Sequence, residues 1–273
     1  MLKKLRKEDK EMLNFCSLYS GSSGNSLLVE TENTKLLVDA GVSAKKIENA
    51  LQDINIEPNS IDGILVTHEH IDHVQGLGTI SKKFDLPVFV NQKTLDAMPK
   101  QRDKIAQKNI KTFEITDKFS IGDLDIKPFS ISHDAINPCG FNIWKEDKKI
   151  SIATDIGQMT NSILKELEGS LFIMLEANYD PEVLRCSSYP FHLKNRIAGP
   201  TGHLSNQMAG KTISHLLKSG LKNAMLGHLS KESNFPELAY QTVIDELISS
   251  HYDENALQLA VANRDIHSKL ITI

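Results

Sequence analysis

The sequence has no apolar run long enough to cross a bilayer. Of its 273 residues, 40% are hydrophobic and 24% are charged, yet no stretch approaches the roughly 18 consecutive apolar residues that a membrane-spanning helix requires. The first residues also lack the apolar centre of a secretory signal. We therefore expect a soluble globular protein with no membrane contact, and the cytoplasm is its expected location.

Cysteine is scarce, and its spacing excludes the common cysteine-based sites. Cys16, Cys139 and Cys186 are odd in number, far apart and not arranged as CxxC. This pattern argues against a disulfide framework and against a thiolate zinc site. We expect three reduced thiols that pack as small hydrophobic side chains.

Positive charge is not in excess. The chain has 31 lysines and arginines against 35 aspartates and glutamates, a formal net charge of −4, which argues against a protein that coats nucleic acid through its overall charge. A local basic patch is still compatible with this balance, and "PKQRDKIAQKNIK" is the strongest candidate for a DNA track. Its basic residues are Lys100, Arg102, Lys104, Lys108 and Lys111. A solvated face is the alternative interpretation of such a run.

Short β-rich segments and helical segments alternate along the chain. Early strands are predicted at "FCSLY", "SLLVE", "KLLVDA" and "IDGILVTH". Helices are predicted over 44–51, 74–84 and 94–106, and a β-hairpin is predicted with its turn near Asp147. Strands and helices alternate again through the second half.

No linker and no sustained repeat divides this pattern, which favours one domain over 13–273 after a loosely ordered extension over 1–12. Early hairpins followed by alternating strands and helices predict an α+β protein in which two packed sheets lie between helical layers, a four-layer αββα sandwich. Ligands at strand ends would then converge on one rim.

The strongest chemical signal is "VTHEHIDHVQGL", which directly follows the apolar strand "IDGILV". It places His68, His70, Asp72 and His73 within six residues. Imidazoles and carboxylates are ligands for zinc, manganese and iron. A tight loop here can direct His68 and His70 to one ion and Asp72 and His73 to a second, whereas a plain polar helix cap would explain the aspartate alone.

Three further candidate ligands stand where predicted strands end. His133 follows "IKPFSIS", Asp155 follows "KISIAT", and His228 follows "NAMLG". Each is a weak signal alone, because a single histidine is more often a hydrogen-bonded surface or core residue. Together, and all at strand ends, they predict a metal site of more than four ligands.

This order of residues, HxHxDH followed by His, Asp and His, resembles the metallo-β-lactamase superfamily, whose fold is an αββα sandwich. The resemblance covers essentially the whole chain after Asn14. It implies one metal on His68, His70 and His133 and a second on Asp72, His73 and His228, bridged by Asp155. Such a pair of ions would share and activate a water, and Asp72 would help to orient it.

The segment between Asp155 and His228 resembles the nucleases of the RNase Z type within this superfamily. Glu176 stands on a predicted strand, and "GPTGHLSN" places His203 where a helix begins. The resemblance implies that Glu176 orients His203 and that His203 donates a proton to the leaving oxygen, a need typical of phosphodiesters. A helix-start histidine with only local hydrogen bonds is the alternative.

In combination, "FCSLYSGSSGNS", "EANYD", "YPFHLKNRIAGPTGHLSN" and "LGHLSKESN" resemble the YycJ/WalJ-like group of small bacterial metallohydrolases. Members of this group are regarded as DNA exonucleases that act on 5′ ends. Tyr179 departs from the pattern, which has His at that position.

Several residues around these motifs are candidates for substrate binding. The Gly-rich stretch "YSGSSGNS" offers Ser22, Ser23 and Asn25 for a phosphate, although such a stretch is also typical of a simple turn. Asn178 lies in "EANYD", while Lys194 and Arg196 precede the His203 step and could pair with flanking phosphates. Solvated helix charges are the alternative for these two.

We therefore expect a phosphodiesterase with two divalent metal ions, zinc or manganese with iron as a further alternative. The expected partner is nucleic acid, with DNA favoured over RNA; the oligomeric state, including a homodimer, is left open. A hydrolase of small esters, such as cyclic phosphates, lactones or thioesters, is the main alternative. A non-catalytic metal-binding regulator is the second.

Overall fold

The structure is a computed structural model of the chain and describes residues 12–253, 255 and 257–273. The predicted loose extension over 1–12 therefore lies, except for Met12, outside the described residues. The single domain over 13–273 stays a prediction.

The first sheet contains seven strands of the described chain. Their order across the sheet is β14 Ile271–Thr272, β1 Asn14–Tyr19, β2 Ser26–Glu30, β3 Lys35–Val38, β4 Gly63–Leu65, β5 Val88–Asn91 and β6 Ile110–Phe113. From β14 to β3 neighbouring strands are antiparallel, and from β3 to β6 they are parallel.

The second sheet also has seven strands within the described ranges. Their order is β13 Gln258–Val261, β12 Asn223–Gly227, β11 Phe172–Glu176, β10 Lys148–Ala153, β9 Cys139–Lys145, β8 Leu124–Ser130 and β7 Phe119–Ile121. β10 to β13 are parallel and β7 to β10 antiparallel. The predicted hairpin is confirmed, since Lys145 pairs with Lys148 across the β9–β10 turn.

Helices pack against the outer faces of both sheets. The α-helices of the described residues are α1 Ala44–Asp53, α2 Ile71–Val74, α3 Leu77–Phe84, α4 Gln92–Ala97, α5 Pro99–Arg102, α6 Asn161–Leu167, α7 Pro181–Cys186, α8 Phe191–Ile197, α9 Asn206–Leu217 and α10 Pro236–Ser249. The helix predicted over 94–106 is wrong in its extent. Pro99 has no N–H and disfavours a helical conformation at Met98, so α4 ends at Ala97 and the short α5 begins at Pro99.

The core has three layers, as an αββα sandwich requires. Between the sheets, Phe15 of β1 packs on Phe172 of β11 with ring centroids 4.5 Å apart. Two outer clusters join the first sheet to α1 and α3, and the second sheet to α6, α9 and α10. The predicted fold class is confirmed.

The thiols are free, but one prediction about them is wrong. Cys16 and Cys139 are buried and pack as small hydrophobic residues, whereas Cys186 is exposed. It occupies the last position of the short helix α7, where the apolar contacts are made by Leu184 instead. Among the described residues, no helix is both long and apolar enough to cross a membrane.

The carboxyl ends of several strands meet at one edge of the sandwich. β4 leads into His68, β10 into Asp155, and β12 into His228. Because parallel neighbours end at the same edge, residues distant in sequence are brought together there.

Candidate metal centre

The HEHIDH segment forms a helical turn and not only a loop. α2 begins at Ile71, three residues earlier than the start predicted near Val74, and His70 is its N-cap. His70 makes no side-chain cap hydrogen bond, so no Ser, Thr or Asp signal marks this start in the sequence. Asp72 and His73 consequently project from one helical turn, while His68 and His70 precede it.

The predicted ligands assemble into two groups of three. Within each group, one ligand atom from every residue lies within 4.8 Å of the others. The first group is His68, His70 and His133, and the second is Asp72, His73 and His228.

Asp155 lies between the two groups. Its Oδ2 is 3.2 Å from Nε2 of His73, and its Oδ1 is 3.5 Å from Nε2 of His228. The same Oδ1 is 3.7 Å from Nε2 of His133, in the other group. One carboxylate therefore faces ligands of both groups, which is the position a bridging ligand needs.

Hydrogen bonds behind the histidines fix which ring nitrogen faces the cluster. Nδ1 of His73 lies 2.7 Å from Oδ2 of Asp39, and Nδ1 of His133 lies 3.0 Å from the carbonyl oxygen of Gly202. Nδ1 of His228 lies 2.9 Å from Oε1 of Glu176. Each Nδ1–H donates to an oxygen, so Nε2 is the ring nitrogen that faces the cluster and that would bind a cation in place of a proton.

The ring of His68 is oriented in the same way, by a hydrogen bond between its Nδ1 and Thr67. The Thr67 hydroxyl donates to Oδ2 of Asp39 at 2.8 Å, so its oxygen accepts from Nδ1–H of His68 at 3.0 Å. Burial, followed by the neighbouring His73, lowers the pKa of His68 well below its ordinary value. His68 is therefore neutral, with an unprotonated Nε2.

Two opposing effects set the pKa values of the ionisable groups in the cluster. Burial disfavours the charged form of each group, and attraction between carboxylates and histidines favours it. Burial would raise the pKa of Asp72, but His73 and His228 outweigh it and lower that pKa to about 2. Burial would lower the pKa of His228, but Asp155 and Asp72 raise it to about 10. The carboxylates are thus ionised and create a field that favours positive charge on His73 and His228, as it would favour a bound cation.

Three residues of the site hold backbone conformations that side chains rarely adopt. Asp39, Asp155 and His228 have φ values of 63°, 62° and 55°. Each left-handed residue of this kind costs about 1–3 kcal/mol and persists only where its surroundings impose it. Asp39 and His228 directly follow a strand, and Asp155 follows β10 after Thr154; at each position the chain turns and directs the side chain into the cluster.

The residues present fit divalent metal ions. Nε2 of His68 and Oδ2 of Asp155 are buried without a hydrogen-bond partner, and leaving such atoms unpaired is costly unless a cation satisfies them. The donors are imidazole nitrogens and carboxylate oxygens, which suit zinc, manganese or iron and do not choose between them.

Glu176 and His203 form the predicted pair. Oε1 of Glu176 lies 2.8 Å from Nδ1 of His203 and also accepts from His228. Its Oε2 accepts backbone N–H groups of Ile156 and Leu204 at 2.7 and 3.0 Å. Burial would raise the pKa of Glu176, but His203 and His228 lower it, so a fully buried carboxylate fixes both rings and leaves Nε2 of His203 as its free nitrogen.

The predicted substrate-binding asparagines are buried behind the ligands. Asn178 donates to the carbonyl of His228 at 2.7 Å, and Asn25 bonds the backbone of Gly21 while its Nδ2 lies 3.2 Å from Nε2 of His73. Both amides therefore support ligand histidines and are poorly placed for a phosphate. Ser22 and Ser23, by contrast, are exposed.

The predicted phosphate partners on α8 already have partners. Arg196 binds Asp134 at 2.6 Å, and Asp134 lies 3.5 Å from Nε2 of His133. Lys194 donates to the carbonyl of Arg185 at 2.7 Å. Arg196 is thus linked to the cluster through Asp134, whereas Lys194 contacts the backbone of α7, and both have part of their donor capacity in use.

The basic stretch over 100–111 lies on the surface, away from the ligand-bearing strand ends. Lys108 pairs with Asp85 at 2.6 Å, and Arg102 lies 3.4 Å from Asp103. Its role as a DNA track stays a prediction.

Asp39 and Thr67 are the functional residues that the sequence did not reveal. Asp39 directly follows β3, and only the parallel pairing of β3 with β4 brings it beside His73. An aspartate at the end of an apolar strand, "KLLVD", was the available signal.

Asp39→Asn is expected to weaken metal affinity by about 10–100-fold. Asp39 accepts from Nδ1 of His73 and from the N–H and hydroxyl of Thr67, and an amide would present N–H groups to some of these donors. Competition with a chromophoric chelator measures the change. Asp125→Asn, at an exposed position, is the matched control; equal affinities in both variants would contradict this role.

Comparisons with known proteins agree with this geometry. Residues 34–228 match the β-lactamase superfamily domain. The chain is 41% identical over 232 residues to exodeoxyribonuclease WalJ of Streptococcus pneumoniae, covering 84% of this chain and 86% of that protein. It is 37% identical over 231 residues to exodeoxyribonuclease YycJ of Bacillus anthracis, covering 85% and 88%.

A solved structure shows the same fold. The metallo-β-lactamase fold protein YhfI from Bacillus subtilis superposes with a TM-score of 0.68 at 15% identity, covering 94% of this chain and 99% of that one. The sequence match, the two ligand groups at one sandwich edge and this fold agree. The chain therefore belongs to the metallo-β-lactamase superfamily of metal-dependent hydrolases, together with the WalJ and YycJ proteins.

Proposed function

We propose that this protein is a DNA exonuclease that uses two divalent metal ions and degrades strands from their 5′ ends. The observation that carries the proposal is the Glu176–His203 pair beside the two ligand groups. The names of the WalJ and YycJ relatives support DNA as the substrate. We also propose a cytoplasmic location, because DNA is the expected partner.

The ligand residues divide the work of holding the ions. His68, His70 and His133 would hold one ion, and Asp72, His73 and His228 the other, with Asp155 between them. When bound, two such ions activate water at neutral pH and offset the charge of the attacked phosphate. Asp72 is 22% exposed, so its carboxylate also reaches the open side, where it can orient the attacking water.

His203 can supply a proton to the leaving group, which a phosphodiester needs and an activated ester does not. A sugar alkoxide is a poor leaving group, so its departure requires a proton. Glu176 accepts from Nδ1 of His203 and stabilises positive charge on the ring. Nε2 is then the atom that donates the proton to the leaving oxygen.

The shape of the site favours a long substrate. His70 is 30% exposed, and Ile71, between His70 and Asp72, is 63% exposed. The ligand cluster is therefore reached from the surface, where an apolar side chain is also presented. A polymer end can approach such a rim, whereas a small ester gains most from an enclosed pocket.

End-labelled single- and double-stranded DNA and RNA, incubated with Mn²⁺- or Zn²⁺-loaded protein, test the proposal. We expect mononucleotide release from DNA 5′ ends, and loss of activity with a chelator. Hydrolysis of cyclic phosphates, lactones or thioesters without DNA cleavage would overturn it in favour of a small-molecule hydrolase. Metal binding with no hydrolysis of any substrate would indicate a regulator.

A further inference from the structure

A small cavity lies beside the metal cluster, next to the Gly-rich turn between β1 and β2. Its volume is about 160 Å³, and its lining includes Ser20, Lys231, Phe235 and Arg264. Ser20 and Lys231 lie within motifs of the sequence but were given no role there, and Phe235 and Arg264 lie outside those motifs. Three of them come from segments that follow the ligand His228, so the cavity is a feature of the C-terminal part of the chain.

The cavity shares a wall with the metal cluster. The hydroxyl oxygen of Ser20 accepts from the backbone N–H of His228 at 2.9 Å. The next carbonyl, that of Leu229, accepts from Nη2 of Arg264 at 2.6 Å. The backbone that carries a predicted metal ligand thus separates the cluster from the cavity by a single layer of residues.

The guanidinium of Arg264 has N–H groups that make no hydrogen bond to the described residues. Nη2 binds Leu229, and Nη1 lies 3.3 Å from the hydroxyl of Ser23. A guanidinium has five N–H donors, and no carboxylate of the described residues forms an ion pair with this one within 4.0 Å. The acidic neighbours Glu232 and Asp265 do not line the cavity.

Gly21 leaves room for the guanidinium of Arg264 beside the turn. Its φ is 152°, and a Cβ there would lie 2.7 Å from Nη1 of Arg264. Its N–H donates to Asn25, which also contacts His73. The Gly-rich turn therefore connects a metal-ligand histidine on one side to Arg264 on the other.

Size and charge together indicate the ligand. Pockets for whole nucleotides or drug-sized molecules have volumes of about 300–1,000 Å³, so this cavity suits a smaller group. Lys231 is exposed and lines the cavity together with Arg264. These two basic side chains favour an anion. The nearby start of α10 adds little, because Pro236 has no N–H and Glu237 lies in the first turn.

We propose that Arg264 and Lys231 form a phosphate-binding subsite for the DNA strand, next to the phosphate that is cleaved. This inference rests on the proposed nuclease function. The phosphate can be a terminal 5′ monoester or an internal diester, because the guanidinium recognises both. In either case the subsite fixes the strand relative to the metal cluster, so Arg264 acts in binding and not in proton transfer.

Fluorescence anisotropy of labelled DNA on the metal-loaded His203→Ala protein tests the subsite without turnover. Adding Arg264→Gln or Lys231→Gln is expected to weaken binding by at least about tenfold and about threefold, and Arg264→Gln to lower the salt slope by about 1. Arg264→Lys should recover part of the loss. Arg185→Gln, an exposed arginine paired with Glu182, is the matched control and should bind as the parent does.

Strands with 5′-phosphate and 5′-hydroxyl ends separate the two phosphate sources. An Arg264 effect limited to 5′-phosphorylated DNA identifies the terminal monoester, and an equal effect on both identifies an internal diester; either supports the subsite. Parent-like binding by Arg264→Gln in a protein that cuts DNA would overturn the subsite and leave the nuclease proposal standing. Arg264-dependent binding without any cleavage by the wild-type protein would overturn the nuclease proposal alone.

Discussion

His203→Ala is expected to lower kcat for DNA hydrolysis by about two to four orders of magnitude, the usual contribution of a general acid. Metal content should stay near that of the wild-type protein, because His203 belongs to neither group of three ligands. It lies in a further group of four with Asp155, Glu176 and His228, in which its Nδ1 is hydrogen-bonded to Glu176. Single-turnover cleavage of end-labelled DNA measures the rate, and elemental analysis measures the metal.

Substrates with different leaving groups can distinguish proton donation by His203 from a purely structural role of this residue. The p-nitrophenolate group leaves a phosphate ester without needing a proton. His203→Ala should therefore slow hydrolysis of bis(p-nitrophenyl) phosphate far less than that of DNA. His215→Ala, on the exposed face of α9 beside Glu168, is the matched control and should keep both activities. Equal losses on the two substrates, or wild-type turnover of DNA, would show that His203 does not donate the proton.

Substitution of Glu176 would be a less specific test of proton donation. It bonds His203 and His228 through one oxygen and two backbone N–H groups through the other. A substitution there would disturb a ligand histidine and the ends of two strands together with the proton donor. His203 contacts this carboxylate through one ring nitrogen only, so substitution of His203 tests proton donation with less disturbance of the other residues.

Much of the fold could be predicted from sequence because periodicity reports local burial. Alternating apolar segments located most strands, and the predicted helix start at "GPTGHLSN" is close to the observed one, where the Ser205 side chain accepts from the N–H of Met208. The early start of α2 could not be predicted, because His70 caps it without a side-chain hydrogen bond. Its position is imposed by the tertiary contacts of the cluster.

The site was predictable where its residues are close in sequence and less so where topology assembles them. The HEHIDH segment is dense enough to indicate a metal centre on its own. Asp39 and Arg264 carry no such signal, since they reach the centre only through the pairing of β3 with β4 and through contacts of the C-terminal segment. Spacing likewise could not show that Arg196 binds Asp134.

Asp155→Ala is expected to weaken metal binding at both positions and to abolish nuclease activity. Its two oxygens face His73, His228 and His133, from both ligand groups, so its loss removes a ligand and a buried negative charge from each. We expect a larger loss of affinity than the roughly 10–100-fold typical of residues that only support a ligand. Titration against a metal buffer measures both affinities.

His68→Ala gives the complementary result, because His68 belongs to the first ligand group and Asp155 faces both. The wild-type protein should hold about two ions per chain, His68→Ala about one, and Asp155→Ala fewer than one at the same free metal concentration. Asp125→Ala, an exposed aspartate on β8, should hold as much metal as the wild type. Circular dichroism of the metal-free variants checks that each is folded. Two tightly bound ions in Asp155→Ala, or one ion in the wild type that His68→Ala removes, would contradict a bridged pair, because the shared carboxylate couples the two positions.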